Sequence, residues 1–123
     1  MQGARALRKQ VRQILSGADR EKAFAQISCH RPRRVINALI SQFYDADGTL
    51  RWRAIAAAGR VVADLAESDR ESARVIMRRL MWMLNDESGG IGWGAPEAMG
   101  EITALSPAMA GEYSDILCSY IYT

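Results

Sequence analysis

A chain of 123 residues is long enough to bury one sizeable core and too short to expect two. Hydrophobic residues make up 49% and charged residues 24%, which fits a folded globular domain and not a disordered tail. No apolar run approaches the roughly 18 residues that span a bilayer, and the charged N-terminus lacks the apolar stretch of a secretory signal, so no membrane contact and a cytoplasmic location are expected.

The net charge of +2 conceals a gradient. Residues 1–34 hold nine bases and two acids, a local +7, whereas residues 86–123 hold six acids and no base, a local −6. One end is fitted to anionic partners and the other is not. The same split predicts weak, salt-sensitive association between the basic end of one copy and the acidic end of another.

In chain order, two N-terminal helices come first. Leu7, Val11, Ile14 and Leu15 form the apolar stripe of a helix over 4–16, and Ala23, Phe24 and Ile27 that of a second over 19–28. Pro32 opens a third, running to Tyr44. The stretch DADGTL (45–50) reads as a turn; its glycine comes too early and no bidentate acid follows for a calcium loop. An alanine-rich helix starts near Trp52, and Asp69 is placed to cap the next, which starts near Glu71. On that helix Ala73, Ile76, Met77, Leu80 and Leu84 fall on one stripe. The consecutive Met81, Trp82 and Met83 are expected to be buried between neighbouring helices, the other reading being an adaptable exposed contact. The helix breakers in NDESGGIGWGAPEAMGE (85–101) mark a joint: Gly89 and Gly90 end one helix, Pro96 fits the first turn of the next, and Ile91 and Trp93 reach back to the core. A dinucleotide loop needs a strand before the glycines, and here a helix precedes them. Ser106-Pro107 opens a final stretch, whose stripe is Tyr113, Ile116, Leu117 and Tyr120.

These elements repeat. WRAIAAAGRV from Trp52 aligns with WGAPEAMGEI from Trp93 at a spacing of 41, pairing Ala54 with Ala95, Ala57 with Ala98, Gly59 with Gly100 and Val61 with Ile102. Val35-Ile36, Val75-Ile76 and Ile116-Leu117 recur at spacings of 40 and 41. A glycine at one phase of both helices predicts close helix approach at each. The unit is a helix pair, and no stretch alternates with the period of a strand. The reading is therefore one all-α domain over 1–123. Residues 1–31 form capping helices, and 32–123 form about two and a half repeats of about 41 residues.

With that period and the Trp52–Val61 helix, the chain resembles HEAT-like α-helical repeats over about residues 32–123, particularly the short alanine-rich kind of phycobilisome-lyase-type proteins. Gly94 and Pro96, standing where the first copy has Arg53 and Ile55, depart from the pattern. The resemblance implies an alpha-alpha superhelix, that is, a short right-handed α-solenoid of antiparallel helix pairs, whose face binds another macromolecule. It implies no catalytic residue and no cofactor.

Chemistry-bearing residues are sparse. His30 is the single histidine; beside it Cys29 has no partner at ligand spacing and reads as a small buried thiol, so no metal site is expected. No nucleophile-base set is evident, and an enzyme is the least supported class. A non-enzymatic scaffold for another protein is the main expectation, with Trp52, Arg53, Arg60, Trp93 and Glu97 as contact residues. The alternative is nucleic-acid binding by Arg5, Arg8, Lys9 and Arg12, which share one side of a helix, with Arg31, Arg33 and Arg34. Aromatic residues are poorly interleaved with these bases, and a solvated charged face is the plainer reading.

Overall fold

The structure, a computed structural model, describes residues 3–84 and 94–122, apart from the side chains of 84 and 119–122. Among the described residues every regular element is a helix and none is a strand: α1 (Ala4–Leu15), α2 (Arg20–Ser28), α3 (Pro32–Ser41), a 3-10 turn (Gln42–Tyr44), α4 (Gly48–Ser68), α5 (Arg70–Leu84), α6 (Ala95–Leu105) and α7 (Pro107–Tyr122). No described helix is long and apolar enough to cross a membrane.

Local chemistry sets the starts. Asp19 accepts from the backbone N–H groups of Glu21 (3.0 Å) and Lys22 (3.2 Å), satisfying donors that the first turn of α2 leaves open. Asp69 does the same for α5 through the Ser72 N–H at 3.1 Å. The Ser106 hydroxyl accepts from Met109 N–H at 3.2 Å, with Pro107 opening α7 behind it. The DADGTL turn has a second role. Asp47 accepts from Thr49 and Leu50 N–H groups at 3.0 and 3.2 Å, so α4 begins at Gly48, four residues before the tryptophan expected to open it.

α4 is the central helix and touches every other one. Its buried residues lie on all sides, from Leu50 and Ile55 to Val62 and Leu65, and its alanines let neighbours approach closely. The N-terminal stripes are found as expected: Leu7, Val11, Leu15, Ala23, Phe24 and Ile27 are buried, with Ile14 packed at the edge. Ala73, Ile76, Met77 and Leu80 seat α5. The α7 stripe is weaker, because Leu117 is buried while Ile116 is exposed.

Beyond neighbours in sequence, helices touch next-but-one partners. α4 packs on α2 and most extensively on α6; α1 packs on α3. Polar links continue the second series. Arg33 donates to the Ser72 hydroxyl (2.6 Å) and Arg79 to Asn37 Oδ1, joining α3 to α5, and Arg74 pairs with Glu112 (2.8 Å), joining α5 to α7. Such links join residues about 40 apart, the spacing of the sequence repeat.

The two glycines in matching phase differ. A Cβ on Gly59 would lie 2.5 Å from Glu101 Cβ, so α4 and α6 meet there at the closest range the backbone allows. A Cβ on Gly100 would meet no described atom within 4 Å. Close approach is therefore a property of the first copy alone: Gly59 faces α6, and no described helix lies against Gly100 in turn. Gly94, at φ 81°, opens α6 in the left-handed region. Gly89, Gly90, Ile91 and Trp93 lie outside the described residues, while Pro96 occupies the first turn of α6 as expected.

Candidate functional site

The helices sort by charge. α1, α3 and α5 carry ten bases, four on α1, two on α3 and four on α5, against the single acid Glu71. α2 and α4 carry two and three bases, and α2, α4 and α6 carry one, two and two acids, so this series is neutral in sum. The gradient read along the sequence is thus also a difference between two sets of helices.

On the α2–α4–α6 side lie two shallow clefts. One, of about 410 Å³, is lined by Glu21, Asp64 and Glu67, with Arg60, the Phe24 ring and Leu105. The other, of about 630 Å³, includes Arg20, Trp52, Arg53 and Glu101. Trp52 is 56% exposed and Leu105 49%. Two of the expected contact residues hold the fold together here. Arg53 donates to the Leu15 (2.9 Å) and Gly17 carbonyls, closing the C-terminal end of α1. Arg60 makes a two-pronged pair with Glu21 (3.2 and 3.3 Å) and lies over the Phe24 ring, 4.5 Å from its centre. Arg20 lies over the same ring at 5.0 Å. Trp52 and Glu97 are exposed, and Trp93 lies outside the described residues. Glu101, bordering the cleft from α6, is a site residue that sequence reading missed; its only signal was adjacency to Gly100.

On the α1–α3–α5 side three smaller clefts adjoin. One of about 250 Å³ is lined by Leu7, Cys29, His30, Arg31 and Arg34. One of about 100 Å³ shares Leu7 and Arg34 and adds Arg8 and Asn37. One of about 180 Å³ shares Asn37 and adds Arg33, Val75 and Arg79. Of the expected nucleic-acid contacts, Arg8, Arg31, Arg33 and Arg34 are brought together. Arg12 is not, because it pairs with Asp45 at 3.1 Å. Arg5 and Lys9 are exposed on α1 but line none of the three. Trp82 is 78% exposed while Met81 and Met83 are half-buried, so burial of the whole triplet is corrected. Residues 81 and 83 turn inward on opposite flanks of α5, and the residue between them must point out. Cys29, expected to be buried, is exposed, as is Cys118. No group of three metal-ligating side chains exists among the described residues.

Three carboxylates are held below their ordinary values. Asp69 is lowered by hydrogen bonds from the Ser72 hydroxyl and N–H, Asp45 by the Asp47 N–H and Arg12, and Glu71 by Arg78 and Arg74. Each folded-state pKa lies below the unfolded one, so the contribution is complete above the ordinary values of 3.8 for aspartate and 4.5 for glutamate. It is lost as pH falls through the lowered ones. Melting followed by circular dichroism is expected to be level from about pH 7 to 5 and to drop below about pH 4. A melting temperature unchanged at about pH 3 would show these pairs to be absent in solution.

No family model, curated protein or solved structure matches the chain.

Proposed function

We propose that the protein is a non-enzymatic scaffold, a short α-solenoid of HEAT-like helix pairs that binds another protein on its α2–α4–α6 face. Next-but-one helix contacts and polar links about 40 residues apart support the solenoid, since each repeat then touches its successor. One observation carries the binding reading: Trp52, on the most buried helix, stands 56% exposed in the wall of a cleft that Glu101 borders, on the same side as the cleft lined by Asp64 and Glu67. A rigidly mounted tryptophan is the residue type most enriched at binding hot spots.

The chemistry of the face selects a basic amphipathic helix as the partner segment. Asp64 and Glu67 form no ion pair with any described residue and would meet its cations. Trp52 and Leu105 would meet its apolar stripe. The test is titration with a helical leucine–lysine peptide, followed by NMR shifts, against a leucine–glutamate peptide of the same pattern. The basic peptide is expected to shift α2, α4 and α6 resonances, and W52A is expected to weaken it by about 30-fold. Equal binding of both peptides, or an unchanged affinity in W52A, would contradict the proposal.

A further inference from the structure

The geometry points to a second binding face, on α1, α3 and α5, that holds a single-stranded nucleic acid with its phosphates over a row of arginines and a base stacked on Trp82. The row is Arg31, Arg34, Arg8, Arg33 and Arg79, lining three adjoining clefts that share Leu7, Arg34 and Asn37. No carboxylate lines any of the three. Both clefts on the opposite side include carboxylates.

Two of the cations are held by neutral acceptors rather than by direct ion pairs. Arg33 donates to a hydroxyl, that of Ser72, and Arg79 to an amide oxygen, that of Asn37. Neutral acceptors fix the guanidinium planes, and Arg79, held by an amide oxygen, keeps its charge for an incoming anion. Asp69 stands behind Ser72, capping α5 and offsetting part of the Arg33 charge, so Arg33 is the weakest cation of the row. Ion-paired arginines lie at the borders of this side: Arg12 with Asp45, Arg78 with Glu71, and Arg74 with Glu71 and Glu112.

Shape and composition separate a nucleic acid from an acidic protein. The clefts are small, between about 100 and 250 Å³, and Val75 is the one large apolar side chain in their linings that is exposed. An acidic helix would find cations there but little to anchor its apolar side. The row runs from the start of α3 past α1 to α5, an extended path suited to successive phosphates of one strand. Arginine is the residue that meets phosphate with two parallel donors. Trp82 follows Arg79 by one helical turn and is 78% exposed, offering an indole face to a base no longer paired. A duplex keeps its bases stacked inside and cannot use that face.

The inference is independent of the Trp52 face, so either can fail alone. It is tested on the full chain by fluorescence anisotropy, using a labelled oligothymidylate of about 15 nucleotides, its duplex with oligoadenylate, and polyglutamate. The single strand is expected to bind more tightly than the duplex. Its log affinity should fall with log salt at a slope of about −3 over roughly 50 to 200 mM. R8Q, R31Q and R79Q are each expected to reduce that slope by just under one, while K22Q on α2 leaves it unchanged. W82A is expected to weaken the single strand about tenfold, W82F to retain most of the affinity, and duplex binding to be indifferent to both. Polyglutamate bound as tightly as the oligonucleotide would overturn the inference in favour of an acidic protein. So would equal losses in K22Q and the cleft variants, tighter binding of duplex than of single strand, or no effect of W82A.

Discussion

Replacing Phe43 by alanine is expected to lower the unfolding free energy by about 4 kcal/mol, a fall in melting temperature on the order of 15 °C. The ring is fully buried in the 3-10 turn between α3 and α4. The start of α6 rests on it: a Cβ on Gly94 would stand 2.8 Å from Phe43 Cδ2 and 2.9 Å from Cγ. Gly94 also has φ 81°, where any side chain is strained. Gly94→Ala therefore carries two costs, about 1 kcal/mol for the backbone region and about 2 kcal/mol for the overlap with the ring. The two substitutions should not add. With Phe43 removed the overlap disappears and the backbone cost remains, so the double variant should be about 2 kcal/mol more stable than the sum predicts. Chemical denaturation of the four proteins measures this coupling. Strict additivity would mean that Gly94 and Phe43 do not touch.

Gly59 and Gly100 should respond with opposite signs. Alanine is worth about 1 kcal/mol more than glycine inside a helix, other things being equal. At Gly100 nothing described opposes the new methyl, so Gly100→Ala is expected to stabilise by about 0.5–1 kcal/mol. At Gly59 the methyl would overlap Glu101 Cβ, the root of a side chain fixed to α6, which cannot rotate away. Gly59→Ala should destabilise by about 1–2 kcal/mol after its helix-propensity gain is subtracted, and Gly59→Val by about 3 kcal/mol. Stabilisation by both alanines, measured in urea, would show that α4 and α6 are not in close contact.

These cases show which features the sequence carries and which need the folded chain. Helix starts were legible at Asp69, Ser106, Pro107 and Pro32, because a cap is a relation between residues two or three apart. The buried stripes of α1, α2 and α5 were legible because their period is helical. The phase of Gly59 and Gly100 was legible too, but not that only one of them faces a helix, which depends on what stacks next. The roles of Arg53 and Arg60 were hidden for a similar reason. Their partners, Leu15, Gly17 and Glu21, lie 36 to 39 positions earlier, and charge alone does not tell a surface contact from a strut. Trp82 lies in a run of three apolar side chains, where composition gives no direction; the flanks of α5 that bury Met81 and Met83 decide it. The basic row was half visible. Arg8, Arg31, Arg33 and Arg34 stood out in the N-terminal charge, whereas Arg79 joins them only through the α3–α5 contact.

The whole account depends on next-but-one helices lying side by side, so that each repeat meets its successor and two outward faces remain. The α4–α6 contact is its most extensive instance. A nuclear Overhauser measurement between the Gly59 Hα protons and the Glu101 Hβ protons tests it directly. The account predicts a strong cross-peak, since the space a Gly59 side chain would need is filled by Glu101 Cβ. Its absence, with Glu101 showing contacts to some other helix, would contradict the stacked arrangement and the α2–α4–α6 binding face built on it.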